Sequence, residues 1–352
     1  MFCHLRKRLC FFGYKLCKCE LEKLFIKHQL TASLTTLRMV HQETVMNVFD
    51  RRSKLLQKTR ASNLEEVELY DYLKDEVGYR LTDRIFDIKR TFNKVVDLGC
   101  GRGNASKNVF ADCVENLIMC DMSETMLNKA VLPEESVKVS KVVVDEEELP
   151  FEEDSVDMVM SNLSLHWVNN LPGTFSQVLK CLKNDGVFLG SVFGGDTLFE
   201  LRASLQLAET ERTGGISPHI SPFTDVRDVG GLLNQAGFTM LTIDCDEVVV
   251  KYPSVFELMW DLKGMAENNC TWVRSHHLRK EVMIAASAIY KELYGTDEFV
   301  PATFQILYFV AWKPDPSQPK PAKRGSATHS LDSLGNIIKW KRKSTLMKLE
   351  FN

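Results

Sequence analysis

The 352 residues contain no Cys-x-x-Cys pair, although there are ten cysteines. That excludes a zinc ribbon and a thioredoxin-type motif, and scattered unpaired thiols point to a reducing compartment. No apolar run approaches the roughly 18 residues that a membrane-spanning helix needs. No single sign of charge dominates: 44 Lys and Arg face 47 Asp and Glu, a net of −3. The rest of the composition is ordinary, at 44% hydrophobic and 26% charged. Collagen, wholesale disorder and a disulfide scaffold are thereby excluded.

The small net charge is an average over unlike parts. Residues 1–45 carry +5, residues 313–352 carry +6, and residues 46–312 carry −14. The first segment mixes apolar and cationic side chains with Ser and Thr, and its acids are Glu20, Glu22 and Glu43. Mitochondrial presequences have this composition, so residues 1–45 are expected to be a mitochondrial targeting segment. Without them the net charge becomes −8. A secretory signal fits less well, because no uninterrupted apolar stretch precedes a small-residue cleavage site. The Pro- and Lys-rich run from Lys313 predicts an extended linker, and residues 313–352 are expected to form a basic flexible tail.

Between these ends, apolar periodicity sets the architecture. Leu69, Tyr70, Leu73, Val77, Leu81 and Ile85 recur in steps that predict a helix within 63–86. Short apolar runs at Lys94–Leu98, Asn116–Cys120, Val137–Val144, Val156–Ser161 and Val187–Val192 read as strands. Helices fall between them, one capped by Ser123 and one opened by Pro172 and stopping near Asn184-Asp185-Gly186. This alternation predicts an α/β fold, a Rossmann-like doubly wound sheet of parallel strands. A helix at 224–237, a strand at 239–250, helices near 254–263 and 276–294, and a strand at 303–312 follow.

The first strand runs into Asp97-Leu98-Gly99-Cys100-Gly101-Arg102-Gly103. Glycines let the backbone approach a ligand without Cβ collisions, and ligands of such sheets sit at the carboxyl ends of strands. A dinucleotide fingerprint would put its third glycine at position 104, which is Asn104. The spacing is instead D-x-G-x-G-x-G, which resembles motif I of the class I S-adenosylmethionine (SAM) methyltransferases. On that resemblance Asp97, Gly99, Gly101 and Gly103 cradle the methionine part of the cofactor. Asp121 follows the second strand, where a carboxylate accepts from ribose hydroxyls, and Met122 follows it. Asp145 and Glu146 follow the third strand, where the superfamily meets the adenine edge; a solvated acidic turn is the alternative for Glu146.

After the fourth strand comes Ser161-Asn162-Leu163-Ser164-Leu165-His166-Trp167, beside the reacting end of the cofactor in such folds. His166 is either a general base or substrate partner, or it packs the strand end with Trp167. The run lacks Asn-Pro-Pro-[Tyr/Phe] and a Pro-Cys nucleophile, and with the acidic core this disfavours nucleic acid. The stretch 193–223 is far longer than an ordinary connection and predicts a helical lid insert at about 194–223. Asp196 and His219 on it join His166 as candidate catalytic contacts. Its acids Asp196, Glu200, Glu209 and Glu211 either meet a cationic substrate or face water.

Leu149–Pro172 (LPFEEDSVDMVMSNLSLHWVNNLP), the insert GGDTL…SLQLAETER…GG…SPHISPF, Tyr252–Gly264, Pro301-Ala302-Thr303 and Met46–Arg51 (MNVFDR) together resemble the mitochondrial respiratory complex I assembly factor 5 family. That family is related to the malonyl-carrier-protein O-methyltransferases of biotin synthesis. The resemblance spans about 46–328. Asn104 departs from it, standing where relatives often carry an aromatic residue, and so does the tail after Ala327. The resemblance implies a SAM site and hydroxylation of an arginine on an iron–sulfur core subunit of complex I during early assembly. It also implies peripheral association with the inner membrane on its matrix face, and no nucleic-acid partner. Hydroxylation needs an oxidant, and a non-haem iron site would want two His and one carboxylate. The only His-x-[Asp/Glu] run is His41-Gln42-Glu43 in the leader, so no metal site is expected. Two other readings stand beside this one: a SAM-dependent methyltransferase acting on a carboxylate or protein side chain, and a non-catalytic assembly chaperone.

Overall fold

The computed structural model describes residues 47–275, 277–320 and 323–326. The targeting segment, Met46, the His41-Gln42-Glu43 run and the tail from residue 327 lie outside the described residues. By compactness the chain forms two units, Met1–Lys313 and Pro314–Asn352. In the second, a turn closes where the Gln318 amide donates to the Asp315 carbonyl. All that follows concerns the first.

Seven strands form one sheet in the order β3-β2-β1-β4-β5-β7-β6. They are β1 Phe92–Leu98, β2 Val114–Asp121, β3 Lys138–Val143, β4 Val156–Asn162, β5 Leu182–Phe193, β6 Thr239–Tyr252 and β7 Val300–Trp312. The first five pair in parallel, as the alternation predicted. The last two do not: β7 lies antiparallel to both β5 and β6. Side chains alternate with period two in either direction, so the apolar pattern of 303–312 carried no information about its sense.

Helices cover both faces. They are α1 Arg51–Ser62, α2 Tyr72–Asp87, α3 Glu124–Asn128, α4 Leu171–Cys181, α5 Phe199–Thr213, α6 Val226–Ala236, α7 Val255–Gly264 and α8 Lys280–Tyr294. Val95, Leu189 and Phe193 pack with α2, α5, α7 and α8 on one face. Val96, Phe188 and Val192 pack with α4 and α6 on the other. Strands buried on both faces read as near-continuous apolar runs, which is why they were visible in the sequence. Two expected boundaries move. Leu69 is 65% exposed, because Val67–Tyr70 is a separate 3₁₀ turn and α2 starts at Tyr72. The helix opened by Pro172 stops at Cys181, and Asn184-Asp185-Gly186 lies within β5.

The segment before α1 is tied down by specific contacts. Phe49 bridges to Thr271, and its ring meets Trp167 edge-on at 5.5 Å. Asp50 caps α1 by accepting from the Ser53 amide. This anchors α1 above the carboxyl ends of β1, β2 and β4.

Candidate functional site

The three glycines after β1 all adopt positive φ, at 74° (Gly99), 57° (Gly101) and 80° (Gly103). They differ in what a side chain would meet. A Cβ on Gly99 would lie 2.2 Å from Ser164 Oγ, and one on Gly103 would lie 2.4 Å from the Val131 carbonyl. A Cβ on Gly101 meets nothing nearer than Asn104 Oδ1 at 3.9 Å. Gly99 and Gly103 thus serve packing, whereas Gly101 opens toward the cleft.

Asp97 is fully buried. Its Oδ2 accepts from Ser106 Oγ at 2.5 Å, and its Oδ1 has no partner. Burial pushes its carboxyl up to about 7, with Ser106 opposing. Asp121 at the end of β2 is also buried. It accepts from the Gly101 amide at 2.9 Å, the Ser123 amide at 2.8 Å and Lys58 Nζ at 2.8 Å. Met122 beside it is half-buried.

Glu146 is not on a solvated turn. It is completely buried, accepts from Ser164 Oγ at 2.7 Å and pairs with Arg51. Burial would raise its carboxyl, but Lys58 and Arg51 outweigh that and hold it at about 2. Asp145 is the outer acid, 42% exposed, and it pairs with Arg51 at 2.6 Å. Helix α1 therefore brings two cations onto the acids at the ends of β2 and β3. Sequence reasoning missed Arg51 and Lys58; Arg51 was in plain view within MNVFDR, but its partners lie about ninety residues away.

The other catalytic candidates separate. Asp196 lines neither the cofactor cleft nor the cavity described below. It is exposed, with Gln305 Nε2 donating to it at 3.1 Å, because the turn after β5 directs it toward Gln305 of β7. Of the insert acids, Glu200 is buried on Thr303, Glu209 is held by His219 at 2.8 Å and the Ser217 amide, and Glu211 pairs with Arg212. None of the four presents a free carboxylate to a substrate in the cleft.

His166 is buried against Trp167, Phe193 and Phe223. Burial lowers its imidazole, with Glu267 opposing. Its Nε2 faces Glu267 at 3.4 Å. Glu267 was not singled out in the sequence, yet it joins the whole cluster. It accepts from Lys74 Nζ at 2.7 Å and from Trp167 Nε1 at 2.9 Å. Burial opposes its ionisation, but Lys74 chiefly keeps it far below the usual carboxylate range. Lys54 stands 3.2 Å over the Trp167 ring and donates to the Ala266 and Asn268 carbonyls.

Lys54 yields a pH prediction. Burial pulls its ammonium from 10.5 to about 7. Between those values the unfolded chain binds the proton that the folded chain has released, so this residue makes stability rise from about pH 7 toward 10.5. Lys54→Met removes that rise, by on the order of 3 kcal/mol between pH 6 and pH 9.5. Urea titrations at pH 6 and pH 9.5 read the difference.

Two spaces meet at Glu267. The cofactor cleft, lined by Gly99, Gly101, Arg102, Asn104, Leu163, Ser164 and α1, encloses about 30 Å³ with the α1 lysines turned in. The second is a cavity of about 250 Å³ walled by α5, the loop through His219 to Phe223, and Met259, Leu262, Glu267–Asn269, Arg274, Ser275 and Leu278. His219 lines it, so one insert candidate does reach a cavity. Asn104 Nδ2 donates to Asp75 Oδ1 at 2.7 Å.

Residues 70–243 match the family model of a methyltransferase domain. A Danio rerio protein named "Arginine-hydroxylase NDUFAF5, mitochondrial" is 51% identical over 305 residues, covering 86% of this chain and 94% of its own. The Homo sapiens protein of that name is 51% identical over 83% of this chain and 84% of its own. The chain belongs to the NDUFAF5 arginine-hydroxylase family. A malonyl-[acyl-carrier protein] O-methyltransferase of Methylovorus is 31% identical, covering 69% of this chain and 82% of its own. The NDUFAF5 family chain thus has the strand order and glycine loop of a methyltransferase domain.

The residues of this NDUFAF5 family member fit SAM on grounds of structure. The orphaned Asp97 Oδ1 wants a cationic donor, such as the methionine ammonium. Gly101 leaves room for the cofactor beside the backbone. Asp121 and Glu146 stand fully buried behind the cleft, Asp121 under Lys58 and Glu146 under Arg51. Arg102 Nε, buried and unpartnered, suits the methionine carboxylate.

Proposed function

We propose that the chain is a mitochondrial, SAM-binding arginine hydroxylase that modifies an iron–sulfur core subunit of complex I early in assembly, at the matrix face of the inner membrane. The observation that carries this reading is 51% identity across 94% of a relative bearing the arginine-hydroxylase name. The acids at the ends of β1, β2 and β3 support the cofactor assignment. SAM, when bound, would supply an electrophilic sulfonium, which serves methyl transfer, while the oxygen of hydroxylation would come from a separate oxidant; the chain's part would be to hold the cofactor with Asp97, Asp121 and Glu146 and to keep water out with α1. Incubating the purified chain with the subunit, SAM and an oxidant (dioxygen with an electron donor, or peroxide), then mapping peptides by mass, tests the reading: one added oxygen on an arginine is expected. An unmodified arginine under every oxidant supplied overturns it.

The likeness to a malonyl-[acyl-carrier protein] O-methyltransferase favours a second reading, methyl transfer to a carboxylate. Transfer of labelled methyl from SAM to a matrix protein would select it.

Lys58 bears on either reading. Its ammonium occupies the Asp121 oxygen suited to a ribose hydroxyl. Lys58→Met lowers the melting temperature of the free protein, since Asp121 and Glu146 lose a buried partner. It enlarges the rise produced by saturating SAM by about twofold, because the ligand no longer displaces an ion pair. Thermal-shift curves with and without SAM measure both.

A further inference from the structure

We propose that the cavity between α5 and residues 259–278 is the subsite for the side chain of the acceptor arginine, with Glu267 as the carboxylate that receives its guanidinium; this rests on the arginine-hydroxylase reading.

The cavity has the dimensions and lining of a side-chain site. At about 250 Å³ it is smaller than the roughly 300 Å³ where drug-sized ligand sites begin. Leu201, Leu205, Phe223, Met259 and Leu262 give it apolar walls, which suit the aliphatic stem of a long cationic side chain. All three charged groups of the lining carry partners, Arg274 with Asp50, His219 with Glu209 and Glu267 with Lys74, so an arriving guanidinium shares Glu267 with Lys74. Glu267 is the carboxylate in the lining, and it also lines the cofactor cleft. A group held by Glu267 therefore stands where the two spaces meet, as an acceptor beside a cofactor must.

Glu267 is prepared for the role. Lys74 on Oε1 and Trp167 on Oε2 fix its plane. An ionised carboxylate offers about four acceptor positions; Lys74, Trp167 and the His166 ring face three of them, so the guanidinium adds one charge-assisted bond. Exposed apolar side chains neighbour the lining residues along the chain: Val273, at 76%, directly precedes Arg274. Such side chains suit contact with a protein that presents the arginine on its surface, better than with a free amino acid.

The test is calorimetric titration of the full chain, saturated with SAM, using a short peptide with a central arginine and the same peptide carrying citrulline. Citrulline keeps the shape and loses the charge. The wild type is expected to favour arginine by about tenfold or more, in line with a charge-assisted pair. Glu267→Gln is expected to erase the preference. Should that variant unfold, Leu205→Phe serves independently, because it fills the cavity from α5 without touching Lys74 or Trp167. It is expected to abolish peptide binding while SAM binding persists. Equal affinity for the two peptides, no binding at millimolar peptide, or unchanged binding by Leu205→Phe overturns the proposal. Arginine-selective binding without oxygen insertion would leave the subsite standing and remove the hydroxylase reading. Oxygen insertion undisturbed by either variant would do the reverse.

Discussion

Replacing Asp121 by alanine abolishes SAM binding and lowers the stability of the free protein by about 3–5 kcal/mol. The size follows from what the carboxylate holds. Asp121 is fully buried and receives Lys58, the Gly101 amide and the Ser123 amide. Its removal leaves one buried ammonium and two amides without their acceptor, and each orphaned donor is costly. The glycine loop would also lose the bond that sets Gly101 against β2. Asp121→Asn separates the two effects. It keeps one carbonyl acceptor and the side-chain shape but gives up the charge facing Lys58, so it should fold better than the alanine variant and still bind SAM weakly. Chemical denaturation and calorimetric SAM titration of both variants measure the two quantities.

The second large effect is a contrast within the loop. Gly99→Val fails to fold to the native state, because even its Cβ would lie 2.2 Å from Ser164 Oγ and 2.9 Å from Glu146 Oε1. Gly101→Val folds. Its cost is the positive φ, about 1–2 kcal/mol, and its side chain projects into the cleft and excludes the cofactor. In a thermal melt, Gly99→Val is expected to show no cooperative transition. Gly101→Val is expected to show one a few degrees below wild type, unmoved by SAM. The sequence presents these glycines as equivalent members of one motif, whereas in the structure only Gly101 separates binding from folding.

Much of the fold was legible because β1, β4 and β5 are buried on both faces and appear as uninterrupted apolar runs. The helix read at 224–237 ends at Gly237, which the structure puts in the left-handed region at φ 104°. What escaped was long-range. The antiparallel sense of β7 depends on which edge it joins. The burial of Glu146 depends on α1 arriving from ninety-five residues earlier with Arg51. Glu267 sits in an unremarkable Ala-Glu-Asn-Asn stretch and acquires its place only when Lys74, His166 and Trp167 converge on it. Asp196 erred the other way: it leaves β5 at the ligand end, but its turn carries it to Gln305.

The central claim is that the cofactor cleft carries the function, as opposed to the fold serving only as a binding surface. The most direct test is SAM titration of the wild type and Gly101→Val, paired with rescue of complex I assembly in cells lacking the protein. The account predicts that the wild type binds SAM and rescues, and that the folded Gly101→Val does neither. Full rescue by a Gly101→Val protein that binds no SAM would contradict it and make the chain an assembly chaperone.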